Sequence, residues 1–148
     1  MLSGPATLDH EGIARRIPHA GRMCLLARLD RWTIDEIRCG ASSHRDGQNP
    51  LRCGSALLAP AAIEYASQAM ALHATLCAAA VPVAGFLASV RGMRLLVPRL
   101  DEIESDLQIA AQRLAGDANQ ALYAFTLHDD GGRLLVDGRA TVILNALP

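Results

Sequence analysis

Few side chains in this 148-residue sequence could move a proton at neutral pH, and one of them stands in an unusual place. The stretch from Leu57 to Ala80 reads LLAPAAIEYASQAMALHATLCAAA, and Glu64 is its only charged residue. A carboxylate on a nearly all-apolar helix is costly to ionise, so its pKa is expected to rise, leaving Glu64 protonated as an acid. Ser67 and Gln68 follow at i+3 and i+4 and share its stripe, while His73, at i+9, falls half a turn away. Gln68 is thus placed to orient the carboxyl or to bond a substrate oxygen. The backbone amides of Ala59 and Ala61, at the positive end of the helix, could polarise a carbonyl, with Pro60 removing the donor between them.

A base must come from elsewhere, and the histidines supply the candidates. His19 follows Pro18 at the junction of a short first helix and the first strand, where the backbone can hold an imidazole. His44 lies in a long loop that could carry it to the same pocket. His10, His73 and His128 read as structural or exposed. Arg91, Arg94 and Arg99, read as one strand, offer cations to a phosphate or to an acidic protein. All 14 cations are arginine, and the missing lysine excludes Schiff-base catalysis. Cys24, Cys39, Cys53 and Cys77 lack any metal-ligand spacing and read as buried small hydrophobes. No metal or other cofactor is expected.

The elements that must position these groups follow from the pattern. With 51% hydrophobic residues, 20% charged and a net charge of -1, the chain has material for one core and no basic footprint for nucleic acid. No leader-like apolar segment follows the start, and no apolar run approaches ~18 residues without interruption. A single domain over 1–148 in the cytoplasm is expected, with no membrane contact. Asp9 caps a short helix from His10 to about Ile17; strands are expected over Met23 to Trp32 and Ile34 to Ala41. The stretch 42–55 gathers Ser, Asp, Gly, Asn and Pro and reads as a long loop. After the helix, closed by Val81-Pro82, four strands run from Gly85 to Val97, Ile103 to Leu114, Gln120 to His128 and Arg133 to Leu144. The tight turns between the last three make them antiparallel. The class is α+β, an antiparallel sheet wrapped around one long central helix.

Pro18-His19 followed by Met23-Cys24-Leu25-Leu26, and Ile63-Glu64-Tyr65-Ala66-Ser67-Gln68-Ala69-Met70 on the helix, resemble the signatures of hot-dog-fold 3-hydroxyacyl-acyl-carrier-protein dehydratases. The branch they resemble is that of aryl-polyene gene clusters. The resemblance implies dehydration of a 3-hydroxyacyl thioester to the 2-enoyl thioester, on acyl-carrier protein or coenzyme A, in fatty-acid-like or polyketide-like biosynthesis. It also implies a homodimer or mixed hot-dog oligomer, with sheets joined edge to edge and sites at the interface. Glu64 would be the acid, and His19 or His44, from the other subunit, the base. Where the best-known dehydratases carry a catalytic histidine, fourteen residues before the glutamate, this chain has Pro50. A hot-dog thioesterase, with Glu64 activating water, and a non-catalytic acyl-binding subunit are the alternatives.

Overall fold

The computed structural model of the chain describes residues 4–78 and 85–144. Its elements are β1 (Leu8–Asp9), α1 (His10–Ala14), β2 (Arg28–Trp32), β3 (Glu36–Ala41), α2 (Ala62–Cys77), β4 (Gly85–Leu95), β5 (Leu107–Gly116), β6 (Gln120–His128) and β7 (Leu134–Leu144). The strands form one antiparallel sheet in the order β1-β2-β3-β5-β6-β7-β4. The chain leaves β3 on one side of the sheet and re-enters at β4 on the far edge, so α2 must cross the sheet's concave face. The face it meets is apolar by strict alternation. Ile37 and Cys39 of β3, Leu107, Ile109 and Ala111 of β5, and Tyr123, Phe125 and Leu127 of β6 are all buried against it. The helix contributes Tyr65, Ala66, Ala69, Met70 and Leu72 to that core, none of them exposed.

Several boundaries differ from the sequence reading, each for a local reason. The strand expected from Met23 begins only at Arg28. Gly21–Met23 is instead a 3-10 turn, and the backbone of the following residues is bonded by side chains: Leu25 N–H donates to Gln68 at 2.8 Å. The second strand starts at Glu36 because the Thr33 hydroxyl oxygen accepts the amides of Asp35 and Glu36, closing a turn. The long helix opens as a 3-10 turn over Ala59–Ala61, with Pro60 in its first turn, before α2 begins. Its expected continuation to Ala80 and the closing Val81-Pro82 lie outside the described residues. The first helix ends at Ala14, β5 starts at Leu107 and β4 ends at Leu95. The two-residue β1 was missed, which makes the sheet seven-stranded.

The helix cap and the last hairpin turn form as expected, and the cysteines do so in part. Asp9 caps α1 by accepting Gly12 N–H at 2.9 Å. Gly132, in the β6–β7 hairpin, has φ of 90°, a left-handed conformation that suits glycine, while Asp129 accepts the amides of Gly131 and Arg133. Of the four cysteines read as buried, Cys24 and Cys39 are; Cys53 is exposed and Cys77 half-buried. Burial pushes the Cys39 thiol up to about 12, which leaves it inert.

Candidate active site

Glu64 sits in the first turn of α2, and the segment carrying His19 passes over that turn. His19 Nε2 lies 3.0 Å from Glu64 Oε1, with the two side chains 22% and 31% exposed. This contact forms within one protomer. Their pairing also reverses the expected shift of the carboxyl. The His19 hydrogen bond holds Glu64 below its ordinary value of 4.5, outweighing the upward push of partial burial, with a smaller contribution from Gln68. A neighbouring imidazole had no place in an expectation that considered helix composition alone. The other ring nitrogen, His19 Nδ1, is buried and has no hydrogen-bond partner among the described residues.

Gln68 is wholly buried and occupied at both ends. Its Nε2 donates to the Met23 carbonyl at 2.6 Å and approaches Glu64 Oε1 at 3.4 Å; its Oε1 accepts Leu25 N–H. It thus orients the carboxyl, as one of its two expected roles required, and fastens the His19 segment to the helix. Both Nε2 protons are engaged, so neither is left for a substrate oxygen. The amides proposed to polarise a carbonyl are also taken: Ala59 N–H donates to the Pro98 carbonyl at 3.1 Å and Ala61 N–H to Leu58 at 3.0 Å.

His44 is fully buried, not solvated, and stands apart from the pair. Its Nε2 faces the Ile103 and Ser105 carbonyls at 3.0 and 2.9 Å, which fixes the proton on that nitrogen. Burial lowers its pKa, so the ring is a neutral strut between the 42–55 loop and the approach to β5. His73, on the opposite side of α2, is buried between the Tyr123 hydroxyl at 2.7 Å and the Thr33 carbonyl at 2.8 Å. The three arginines read as one strand divide. Arg94 forms a bidentate pair with Asp137, while Arg99 lies beyond β4 and is held by Asp101 and Glu102. Arg91 stays exposed opposite Arg139, and neither has an ion pair among the described residues. Among the described residues no cluster of His, Cys, Asp and Glu could hold a metal, and no helix is long and apolar enough to cross a membrane.

Sequence reasoning missed Ser43, Asn49 and Tyr65, which interlock beneath the site. Tyr65 OH lies 2.9 Å from Ser43 Oγ and accepts from Asn49 Nδ2 at 3.1 Å. Asn49 and Ser43 look like ordinary turn residues, and Tyr65 like one more core aromatic; nothing in their spacing signals a shared network.

One helix crossing the face of an antiparallel sheet is the hot-dog architecture, and solved structures bear out the fold. The dehydratase heterocomplex ApeI:P from Xenorhabdus doucetiae is similar at a TM-score of 0.79 and 24% identity, over 88% of this chain and 89% of that one. A thioesterase from Haemophilus influenzae is similar at 0.67 and 12%, over 93% and 90%. A mutant thioesterase from Pseudomonas aeruginosa gives 0.60 and 13%, over 79% of each chain. No curated protein matches the chain. Residues 11–146 match the ApeP-like family, described as ApeP dehydratase, and the chain belongs to it. It is accordingly a dehydratase, a lyase.

Proposed function

We propose that His19 and Glu64 are the catalytic residues and work as one proton-exchanging pair. The observation that carries this is their 3.0 Å contact, half-exposed at the start of α2. With two protons on the pair, it exists as imidazolium and carboxylate or, after one proton crosses the hydrogen bond, as neutral imidazole and carboxylic acid. The depressed Glu64 pKa favours the carboxylate at rest. The second is competent. His19 Nε2 then takes the α-proton of the thioester as the Cα–H electron pair becomes the Cα=Cβ bond. Glu64 gives its proton to the β-hydroxyl, which leaves with the C–O electron pair as water. The site returns to the ion-paired form, and a single proton shift resets it. Glu64 therefore acquires its acidic proton from His19 and not from an apolar environment.

The natural substrate in this reading is a 3-hydroxyacyl group on an acyl-carrier protein, with coenzyme A as the simpler alternative, handled in the cytoplasm. The opposed Arg91 and Arg139 support an acidic carrier, because like charges directly across a ladder are unfavourable until something anionic meets them. Arg94 and Arg99 are already neutralised. A second hot-dog subunit completes the assembly. The 11-residue β4 is a sheet edge with β7 as its only neighbour among the described residues, and Leu58, Leu87, Leu95 and Leu96 are exposed large apolar residues on or near it. ApeI:P is a heterocomplex, which favours a mixed pair over a homodimer.

The test is turnover of a 3-hydroxyacyl thioester by the wild-type chain and by His19→Gln. The reading expects 2-enoyl product from the first and at least a hundredfold less from the second; equal rates would remove the pair from the chemistry. Hydrolysis is the second reading, since a carboxylate ionised at rest is what activating water requires. Free acid in the same assay would support it.

A further inference from the structure

The segment that carries His19 has no strand ladder of its own, so something else must fix the 3.0 Å contact with Glu64. The amides of Met23, Cys24 and Ala27 donate to the carbonyls of Ala20, Gly21 and Gly40, and side chains supply the rest of its backbone bonds. Gln68 takes the Met23 carbonyl and the Leu25 amide, His10 Nε2 lies 3.1 Å from the Cys24 carbonyl, and Ser43 Oγ donates to the Leu25 carbonyl at 2.7 Å. A carbonyl can only accept, so this last bond uses the single Ser43 proton. The Tyr65 hydroxyl must then donate to Ser43 Oγ, and Asn49 Nδ2, which can only donate, supplies the Tyr65 oxygen. The direction of every bond in the chain Asn49 to Tyr65 to Ser43 to Leu25 is thereby settled.

The anchor of that chain is rigid. Asn49 is buried, and its remaining groups are used by the Ser43 carbonyl at 2.9 Å and the Leu51 amide at 2.8 Å. Arg52 ties the same loop together through the carbonyls of Asp46, Ser55 and His44. Arg45 fastens it to the Glu104 carbonyl and to Asp106. The loop over 42–55 is thus a braced platform. Tyr65 and Gln68 stand one and four residues after Glu64, so the helix turn bearing the acid also reaches the His19 segment from two directions.

We propose that Asn49, Tyr65 and Ser43 are positioning residues of the dehydratase site, a one-way hydrogen-bond chain that sets His19 against Glu64 through the Leu25 carbonyl. This rests on the reading of His19 and Glu64 as the reacting pair. It gives the loop a function although Pro50 stands where related dehydratases carry a histidine. Removing one link leaves the core intact and lets the His19 segment shift, which matters because misplacement by about 1 Å can cost on the order of a hundredfold.

The experiment compares Ser43→Ala, Ser43→Thr and Tyr65→Phe with Glu64→Gln, using a 3-hydroxybutyryl N-acetylcysteamine thioester as probe and histidine NMR of His19. Ser43→Ala and Tyr65→Phe should lower kcat about tenfold or more, change KM less than about twofold, and move the His19 ring resonances. Ser43→Thr, which keeps the hydroxyl, should restore most of kcat. Wild-type kcat and an unmoved His19 signal in both deletion variants, with Glu64→Gln inactive, would overturn the positioning role and leave the reacting pair standing. Normal turnover by Glu64→Gln would instead bring down the pair and the positioning claim together. Tyr65→Phe is the larger change to a buried residue; if it fails to fold, the two Ser43 variants decide the matter.

Discussion

Replacing Glu64 with glutamine separates catalysis from stability at one atom. The side chain keeps its length, and the new amide oxygen can still accept from His19 Nε2 across the 3.0 Å gap. What is lost is the charge and the transferable proton. A charge-assisted hydrogen bond exceeds a neutral one by about 1 kcal/mol, and partial exposure of both side chains reduces that further. The variant should therefore lose about 1 kcal/mol or less, which is about 2–4 °C in melting temperature for a chain of this size. Turnover should fall by a factor of about 10² or more, since Glu64 is the carboxyl paired with His19 among the described residues. Differential scanning fluorimetry and a product assay on the same sample read both quantities. An unchanged rate would refute Glu64 as the acid. A stability loss of roughly 3 kcal/mol or more would show a desolvated ion pair, contrary to its half-exposed geometry.

Other outcomes follow from the same geometry. Gln68→Met should cost about 2 kcal/mol, because it strands the Leu25 amide and the Met23 carbonyl, and denaturant unfolding will show it. His44→Gln should lower stability yet leave the turnover of folded molecules unchanged, since that ring bonds two carbonyls away from the pair; a selective loss of rate would contradict this. Gly132→Ala places a side chain at positive φ and should cost about 1 kcal/mol without affecting rate, read by melting and assay together. Acidification has a defined sign. Glu64 is depressed in the folded state, so its stabilisation is complete above its ordinary value of 4.5 and disappears as pH falls through the lowered value. The wild type should then lose more stability than Glu64→Gln below about pH 4.5. His44 and His73 are depressed by burial, so each penalises the fold as pH falls below its ordinary 6.5; His73→Gln should flatten the stability curve between pH 6.5 and 5.

Local patterns carried the architecture, and tertiary contacts carried the site. The strand Gln120 to His128 is legible to the residue because it is a short, mostly apolar run between two hairpin turns of unambiguous composition. The central helix is legible because its composition permits little else. The Met23–Ala27 stretch is apolar enough to imitate a strand, and only the side chains of Gln68, Ser43 and His10, distant in sequence, show why it is not one. The same holds for protonation. Helix composition predicts a raised Glu64, whereas His19, 45 positions earlier, lowers it. The amides of Ala59 and Ala61 look free from the helix alone, and only the Pro98 carbonyl, brought across by the fold, shows that Ala59 is not.

Dehydration itself is tested most directly by mass spectrometry of a 3-hydroxyacyl carrier protein incubated with the wild-type chain, alone and with a hot-dog partner subunit. The acyl group should lose one water and remain on its thiol as the 2-enoyl thioester, and Glu64→Gln should leave it unchanged. Release of the free 3-hydroxy acid, with a bare carrier thiol and no enoyl species, would contradict the account.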